Sequence, residues 1–493
     1  MDMTIETTNV PVVPNIIGGR TVQSRSSRSL PVTAPATGEV IARVPLSTPG
    51  ELDEAVRSAA AAQKDWARTT VKDRVQVMFR LKALLEERTE SLAALISREN
   101  GKTPAEARGS VARGVECVEF AASLPQLSAG QVLEVSRGVE CKSQRYPLGV
   151  VAAVTPFNFP LMVPLWMAPL ALACGNAVIL KPSEQTPLSA VELAGVLKDA
   201  GLPDGLFSVV HGDREIVEAI CDHPDIRAVG FVGSTRVARA VYERAAKAGK
   251  RVRALGGAKN HLVVLPDADP AMTIANVVAS ATGCAGQRCM AASVLLAVGD
   301  VEPIIEGIKE QFAAMQGGRD IGAIISPAAL ERINGYIARA EKGGAVLAVD
   351  GRRAIAPDAP RGGYYLGPTL IDHATPGHEA ACDEIFGPTL TIIRCRTLDE
   401  ALAIENTNPY GNAAAIYTSS GEAAQYFAER ASAGMIGVNI GVPVPREPFA
   451  FGGWNQSLFG DGDITGLQAV DFWTRTKKIT TKWSDRHRKD WMS

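Results

Sequence analysis

Cysteine is scarce in this sequence, eight in 493 residues. There is no C-x-x-C pair and no Cys/His pattern at zinc-ligand spacing, which excludes a disulfide scaffold and a structural zinc module. The thiols read as reduced and mostly buried, with room for one reactive member. Histidine is scarcer still, six scattered residues without an H-E-x-x-H, so no metal centre is expected. An excess of either charge is also missing. Lys and Arg number 51 against 53 Asp and Glu, a net charge of −2, which argues against a dedicated nucleic-acid binder. The opening Met1-Asp2-Met3-Thr4-Ile5-Glu6 lacks the basic and apolar regions of a secretory signal, so a cytoplasmic location is expected. No G-x-G-x-x-G occurs. Gly101-Lys102-Thr103 resembles the end of a phosphate-binding loop, but Ile96 stands where its first glycine is required. Charge is absent from Tyr146 to Leu180, a stretch long enough to raise the question of a membrane span. Five prolines, at 147, 156, 160, 164 and 169, interrupt it, together with Asn158 and Asn176. A buried strand, loop, helix and second strand explain the stretch better, and no membrane association is expected.

What is present is the composition of an ordinary globular chain, 46% hydrophobic and 21% charged. Its length implies several domains. The segment to about Val44 reads as short strands and turns. Helical periodicity then runs over Glu51–Arg68, over one long helix from about Lys72 to Glu99, and over Thr103–Ala122. Residues 126–146 alternate polar and apolar, which suggests antiparallel strands. From Gly149 to Leu255 strands and helices alternate, the mark of βαβ units and a parallel sheet. A second such set follows from Leu262 to Thr418. Asp471–Trp483 mixes aromatic and β-branched residues and reads as a late strand that pairs outside its own domain, which favours a homodimer or homotetramer.

Five short stretches carry chemistry. Cys289, in Gly286-Gln287-Arg288-Cys289, follows a helix end. Backbone N–H groups and the neighbouring Arg288 favour a thiolate there; the competing reading is a small buried hydrophobe. Asn158 lies between prolines that restrict its backbone, so its carboxamide N–H is a candidate oxyanion donor, against the alternative of an Asx turn. Lys181 and Glu184 follow a strand end, where side chains line the ligand crevice of a parallel sheet. Both suit ribose hydroxyls, and the carboxylate disfavours a 2′-phosphate, which points to NAD over NADP. Ser234, where a strand meets a helix, suits a phosphate or simply an N-cap. Glu384 and Phe386, in a Gly-Pro loop, suit a ribose and a planar ring.

Taken in order, these stretches resemble the aldehyde dehydrogenase superfamily over nearly the full length. Pro35–Glu39, Glu99–Lys102, Pro156–Pro160, Lys181–Glu184, Phe231–Thr235, Gly286–Cys289, Gly367–Thr369 and Glu384–Pro388 all carry the resemblance. It implies an α/β fold with a Rossmann-like NAD domain (1–125 and 149–255), a second α/β catalytic domain (256–460) and a small β oligomerisation flap (126–148 and 474–493). It implies Cys289 as nucleophile and Asn158 as oxyanion donor. Lys181 and Glu184, with Gln185, would hold the adenosine ribose, and Ser234 the pyrophosphate. Thr155, Phe157 and Gly256 would contact the cofactor, Glu384 the nicotinamide ribose, and Phe386 the ring.

Hydrolytic members carry a glutamate before a Leu-Gly-Gly-Lys stretch, where it activates water. Here that position falls on Ala254 or Leu255, and neither takes a proton. Gly257–His261, Gly286–Ala291 and Val470–Lys482 resemble the coenzyme A-acylating methylmalonate-semialdehyde dehydrogenase branch. That resemblance implies NAD and coenzyme A as partners of a small anionic aldehyde, with Arg288 and Arg113 as holders of its carboxylate. For Arg113 a solvated helix face is the competing reading. Arg446-Glu447 departs from the apolar residues expected of the branch, which leaves room for a different anionic aldehyde. Two alternatives stand beside this reading: a hydrolytic dehydrogenase with another base, and a non-catalytic paralogue.

Overall fold

The computed structural model describes residues 10–483. Its first sheet is built on five parallel strands in the order Phe207–Val209, Ala177–Lys181, Val150–Val154, Ile226–Val232 and Arg251–Leu255. The three inner ones are buried at every position but Arg227 rather than alternately, because helices cover both faces of the sheet. Val150–Val154 comes first in the chain and lies in the middle. The chain therefore winds outward one way through 177 and 207 and the other way through 226 and 251. The reversal between Val154 and Val232 opens a crevice beyond the strand carboxyl ends. Thr155, Lys181, Gly233 and Gly256 sit at or just past those ends.

The second sheet has seven strands, among them Asn260–Val264, Ala292–Val298, Thr389–Cys395 and Ala413–Tyr417, parallel to their neighbours. A third, three-stranded antiparallel sheet pairs Val139–Pro147 with Gln131–Ser136 on one side and with Thr474–Lys482 on the other. The late strand thus lies against residues some 330 positions earlier in the sequence. The outer strand Gln131–Ser136 is exposed throughout, with Val132 and Leu133 each 66% exposed. Residues 484–493 of the expected flap lie outside the described residues.

Two expectations need correction. The long helix expected over Lys72–Glu99 is two helices, Val71–Glu87 and Thr89–Asn100, broken at Arg88 (φ −94°, ψ 13°). No apolar residue between Leu85 and Leu92 anchors that turn to the core, and Arg88 instead reaches Asp199 at 2.7 Å. The chain also re-enters the first sheet before residue 460. Leu458–Phe459 pairs antiparallel with Arg251–Leu255. Arg253 then holds Asp463 at 2.7 Å, and Ile464, Val470, Phe472 and Trp473 lie in the same core as the parallel strands. Among the described residues no helix is long and apolar enough to cross a membrane, and no group of His, Cys, Asp or Glu is arranged to hold a metal ion.

Candidate active site

Cys289 is positioned by a turn that only small residues permit. The helix Pro270–Thr282 ends at Gly283, and Cys284, Ala285 and Gly286 then take positive φ. A Cβ on Gly286 would lie 2.0 Å from the carbonyl oxygen of Gly387, so its glycine lets this turn close against the Glu384–Pro388 loop. Beyond the turn, the Cys289 carbonyl accepts hydrogen bonds from the carboxamides of Asn260 (2.8 Å) and Asn412 (2.9 Å). Burial and the Glu384 carboxylate push the Cys289 thiol up to about 12, against the pull of the Cys289 and Met290 backbone N–H groups and of Arg288. The expected help from Arg288 is present in sign but outweighed.

Asn158 is buried, and its Nδ2 donates to the carbonyl of Gln287 at 3.0 Å, beside the Cys289 turn. An amide nitrogen carries two protons, so one N–H remains to be offered. The Phe157–Phe159 turn is clamped from below by the Asn100-Gly101-Lys102 segment. Asn100 donates to the Phe157 carbonyl at 2.8 Å. The buried Lys102 ammonium donates to the carbonyls of Asn158 and of the Asn100 side chain and lies 4.4 Å from the centre of the Phe159 ring. In the sequence this segment reads as a rejected phosphate-binding-loop end and as part of the family resemblance. Its lysine, bonded to the main chain of Asn158, is a functional group that reading missed.

Both residues open on a cleft of about 1500 Å³ at the switch point of the first sheet. The cleft gathers Thr155, Phe157, Asn158, Lys181, Glu184, Gln185, Ser234, Gly256, Cys289, Glu384 and Phe386, with Val163 and Trp166 beside them. Lys181 and Glu184 face one another at 2.9 Å. Ser234 is the N-cap of the helix Thr235–Lys247 by position, yet its hydroxyl makes no capping bond. The hydroxyl of Thr155 is buried without a partner. Glu384 accepts from the Ala258 N–H at 2.9 Å, and a Cβ on Gly257 would lie 2.4 Å from its other oxygen. Burial raises the Glu384 carboxyl against the pull of that N–H and of Lys259. Phe386, at φ 58°, meets Phe157 edge-on with 5.9 Å between ring centres. Two unpaired hydroxyls, a helix N-terminus and glycines where backbone must approach closely suit a dinucleotide.

Behind Cys289 lies a second, small cavity lined by Lys259, Ser293 and Glu384. Burial lowers the Lys259 ammonium to about 8, opposed by Glu384. Ala254 and Leu255 are buried in the strand Arg251–Leu255, in register with Phe231 and Val232.

The two arginines are not brought into the cleft. The Arg288 guanidinium turns back onto the carboxyl end of the helix Pro270–Thr282, donating to the carbonyls of Ala279 and Ser280, each at 2.8 Å. It satisfies helix-end carbonyls rather than facing a substrate. Arg113 is no solvated helix residue either. Its side chain is 13% exposed and is paired with Glu447 at 2.7 Å and Glu116 at 2.9 Å.

A nucleophile, an oxyanion donor and a dinucleotide cleft in this arrangement have known counterparts. The aldehyde dehydrogenase family profile matches residues 21–479. The chain belongs to the aldehyde dehydrogenase family. As a member of that family it is 47% identical over 485 residues to malonate-semialdehyde dehydrogenase 2 of Geobacillus kaustophilus, covering 97% of this chain and all of the relative. Among solved structures it resembles the methylmalonate-semialdehyde dehydrogenase of Oceanimonas doudoroffii, with a TM-score of 0.95 and 41% identity over 97% of this chain and 100% of the other. A Sinorhizobium meliloti protein assigned to the same activity and solved with NAD gives a TM-score of 0.95 and 42% identity over 96% and 98%.

Proposed function

We propose that this aldehyde dehydrogenase oxidises malonate or methylmalonate semialdehyde with NAD and transfers the acyl group to coenzyme A, releasing acetyl-CoA or propionyl-CoA and carbon dioxide. The observation that carries the acylating half is the apolar pair Ala254 and Leu255, buried where a water-activating carboxylate would stand. The relatives named for malonate and methylmalonate semialdehydes support the substrate.

In this reading the Cys289 thiolate attacks the aldehyde carbon. The free N–H of Asn158 and the Cys289 backbone N–H stabilise the oxyanion, the kind of donor worth about 10²–10³ in rate. NAD supplies the hydride acceptor. Lys181, Glu184 and Gln185 hold its adenosine end, Ser234 and the helix behind it the pyrophosphate, with Thr155, Phe157 and Gly256 alongside, and Glu384 and Phe386 the nicotinamide end. Collapse of the oxyanion leaves an acyl thioester on Cys289. Loss of the substrate's carboxylate as carbon dioxide gives a thioenolate that takes up one proton. The coenzyme A thiol then displaces the Cys289 sulfur. A thiolate nucleophile needs far less base assistance than water, so general-base help worth about 10²–10⁴-fold in a hydrolase is dispensable here.

The test is to mix enzyme, NAD and malonate semialdehyde with and without coenzyme A and to weigh the products. Acetyl-CoA formed only with coenzyme A is expected. Sustained turnover to a free acid without it would overturn the acylating reading and would point to Glu384, the carboxylate beside Cys289, as the base. No NADH burst with any short acidic aldehyde would favour the non-catalytic alternative. The exposed flap strand, Gln131–Ser136, supports a homodimer or homotetramer, and a cytoplasmic location fits the reduced thiols; light scattering checks the first.

A further inference from the structure

The linker Gly256–Lys259 joins the strand Arg251–Leu255 to the strand Asn260–Val264, and it is pinned on both sides. The Gly257 N–H donates to the Thr235 hydroxyl at 2.8 Å, and the Gly257 carbonyl accepts from the Ser457 hydroxyl at 2.7 Å. Successive residues of this linker then meet one carboxylate. Gly257 lets Glu384 approach closely, because a Cβ there would lie 2.4 Å from Glu384 Oε2. The Ala258 N–H donates to Oε1 at 2.9 Å. Lys259 comes next, on the small cavity it shares with Glu384 and Cys289. Asn260 follows and donates to the Cys289 carbonyl at 2.8 Å, so the linker is fixed relative to the nucleophile as well.

Lys259 is buried, and among the described residues its ammonium has no hydrogen-bond or ion-pair partner. A buried cation without a partner is costly. The carboxylates that act on it are those of Glu384 and Asp383, Glu384 more strongly. In return Lys259 lowers the Glu384 carboxyl, which burial raises. The other cation near Glu384, Arg332, already donates to the Ile385 carbonyl at 2.7 Å. Cys289 and Tyr410 also lie near Glu384, and burial pushes both upward, so both stay protonated near neutral pH. On the far side of Lys259, burial pushes His261 down to about 3, which keeps it neutral, and Cys382 lies nearby. The cavity, at about 10 Å³, has room for one water at most, so the field between ammonium and carboxylate is little screened.

We propose that Lys259 is a positioning residue for the cofactor: acting across the small cavity, its ammonium keeps Glu384 ionised and turned toward the nicotinamide ribose. An ionised carboxylate only accepts, which suits two ribose hydroxyls, whereas a protonated one turns an oxygen into a donor. Without the Lys259 charge, the buried Glu384 carboxyl holds its proton to higher pH, so the loss is greatest at low pH. This rests on the placement of Glu384 at the nicotinamide end, and it does not depend on the aldehyde or the acyl acceptor.

The test titrates wild type, Lys259→Met and Glu384→Gln with NAD and with ADP from pH 6 to pH 9, following protein fluorescence. ADP reaches only the adenosine end. At pH 6 the NAD Kd of Lys259→Met should rise about tenfold while its ADP Kd stays unchanged. By pH 9, where Glu384 ionises unaided, the defect should shrink to about twofold. Wild type should change little across the range, because Lys259 loses its charge, near pH 8, only where Glu384 no longer needs it. Glu384→Gln, which cannot ionise, should lose NAD affinity equally at both ends. Lys259→Gln, polar and uncharged, takes the place of the methionine variant if that one melts early. Unchanged NAD affinity in the Lys259 variant, where Glu384→Gln weakens NAD, overturns the proposal and leaves the placement of Glu384 standing. Equal loss of NAD and ADP, or a defect that persists at pH 9, marks Lys259 as support for the linker and overturns it too. Unchanged NAD affinity in Glu384→Gln removes the nicotinamide-end reading itself, and this proposal with it.

Discussion

The cleft beside Cys289 is assembled from strand ends and glycines, whereas the corner around Arg113 is assembled from ion pairs. On the first side, each contributing stretch is short and local. Lys181 and Glu184 are three residues apart, Ser234 lies two residues past the end of its strand, and Glu384 and Phe386 share one loop. Their placement in one cleft follows from where a parallel strand stops. On the second side, Arg113 and Glu447 are 334 positions apart, and the charge of the corner depends on whether they meet. A local motif announces a residue type together with its setting. A long-range ion pair changes what an arginine offers without leaving a mark near it.

Removing the chemistry itself gives the largest expected effect. Cys289→Ala should lower turnover by about 10³-fold or more while keeping the stabilisation that NAD gives in a thermal melt. Asn158→Ala should lower kcat by about 10²–10³-fold. An Asn158→Ala enzyme that turns over normally would remove the oxyanion role and break the distinction between the two sides.

The next effect is on the thiol. With the Cys289 thiol pushed up to about 12, its thiolate fraction rises with pH. Iodoacetamide labelling of the Cys289 peptide in the free enzyme should therefore climb about tenfold per pH unit from pH 7 to 9, without a plateau. Glu384→Gln removes a carboxylate that raises this thiol, so labelling at pH 8 should speed up several-fold. A plateau below pH 9, or labelling slowed by Glu384→Gln, would show the sign to be wrong.

Smaller still is the effect expected at Lys102, which acts through the main chain of Asn158. Lys102→Met should lower kcat about tenfold with little change in the KM for NAD, and Lys102→Arg should restore part of it. Equal loss in kcat and in NAD affinity would mark Lys102 as structural support for the whole cleft. That would blur the line between the two regions.

Most of the cofactor side was legible before any coordinates. Every residue assigned there lines one cleft, because the alternation of strands and helices from Gly149 to Leu255 fixes which loops fall at the carboxyl ends. The break at Arg88 was not legible, since apolar periodicity on either side of Glu86–Ser91 continues in phase and propensity does not forbid a single helix. The return of Leu458–Phe459 to the first sheet was hidden for a different reason: a two-residue edge strand has no periodicity to read. Lys102 and Asn260 were passed over because a buried lysine or asparagine looks in sequence like a surface one.

By itself the sequence determined the chemistry on offer: one cysteine after a glycine-rich turn, an asparagine between prolines, an apolar pair in place of a base, and a parallel-sheet order that gathers them. Only the tertiary structure decided how the arginines are used. It folds Arg288 back onto the carbonyls of its own helix and seats Glu447 on Arg113, so that neither guanidinium faces the cleft free. The physical reason is that a buried cation must be paired. For Arg113 the partner depends on which distant segment the fold brings within 3 Å, and no spacing along the chain encodes that distance.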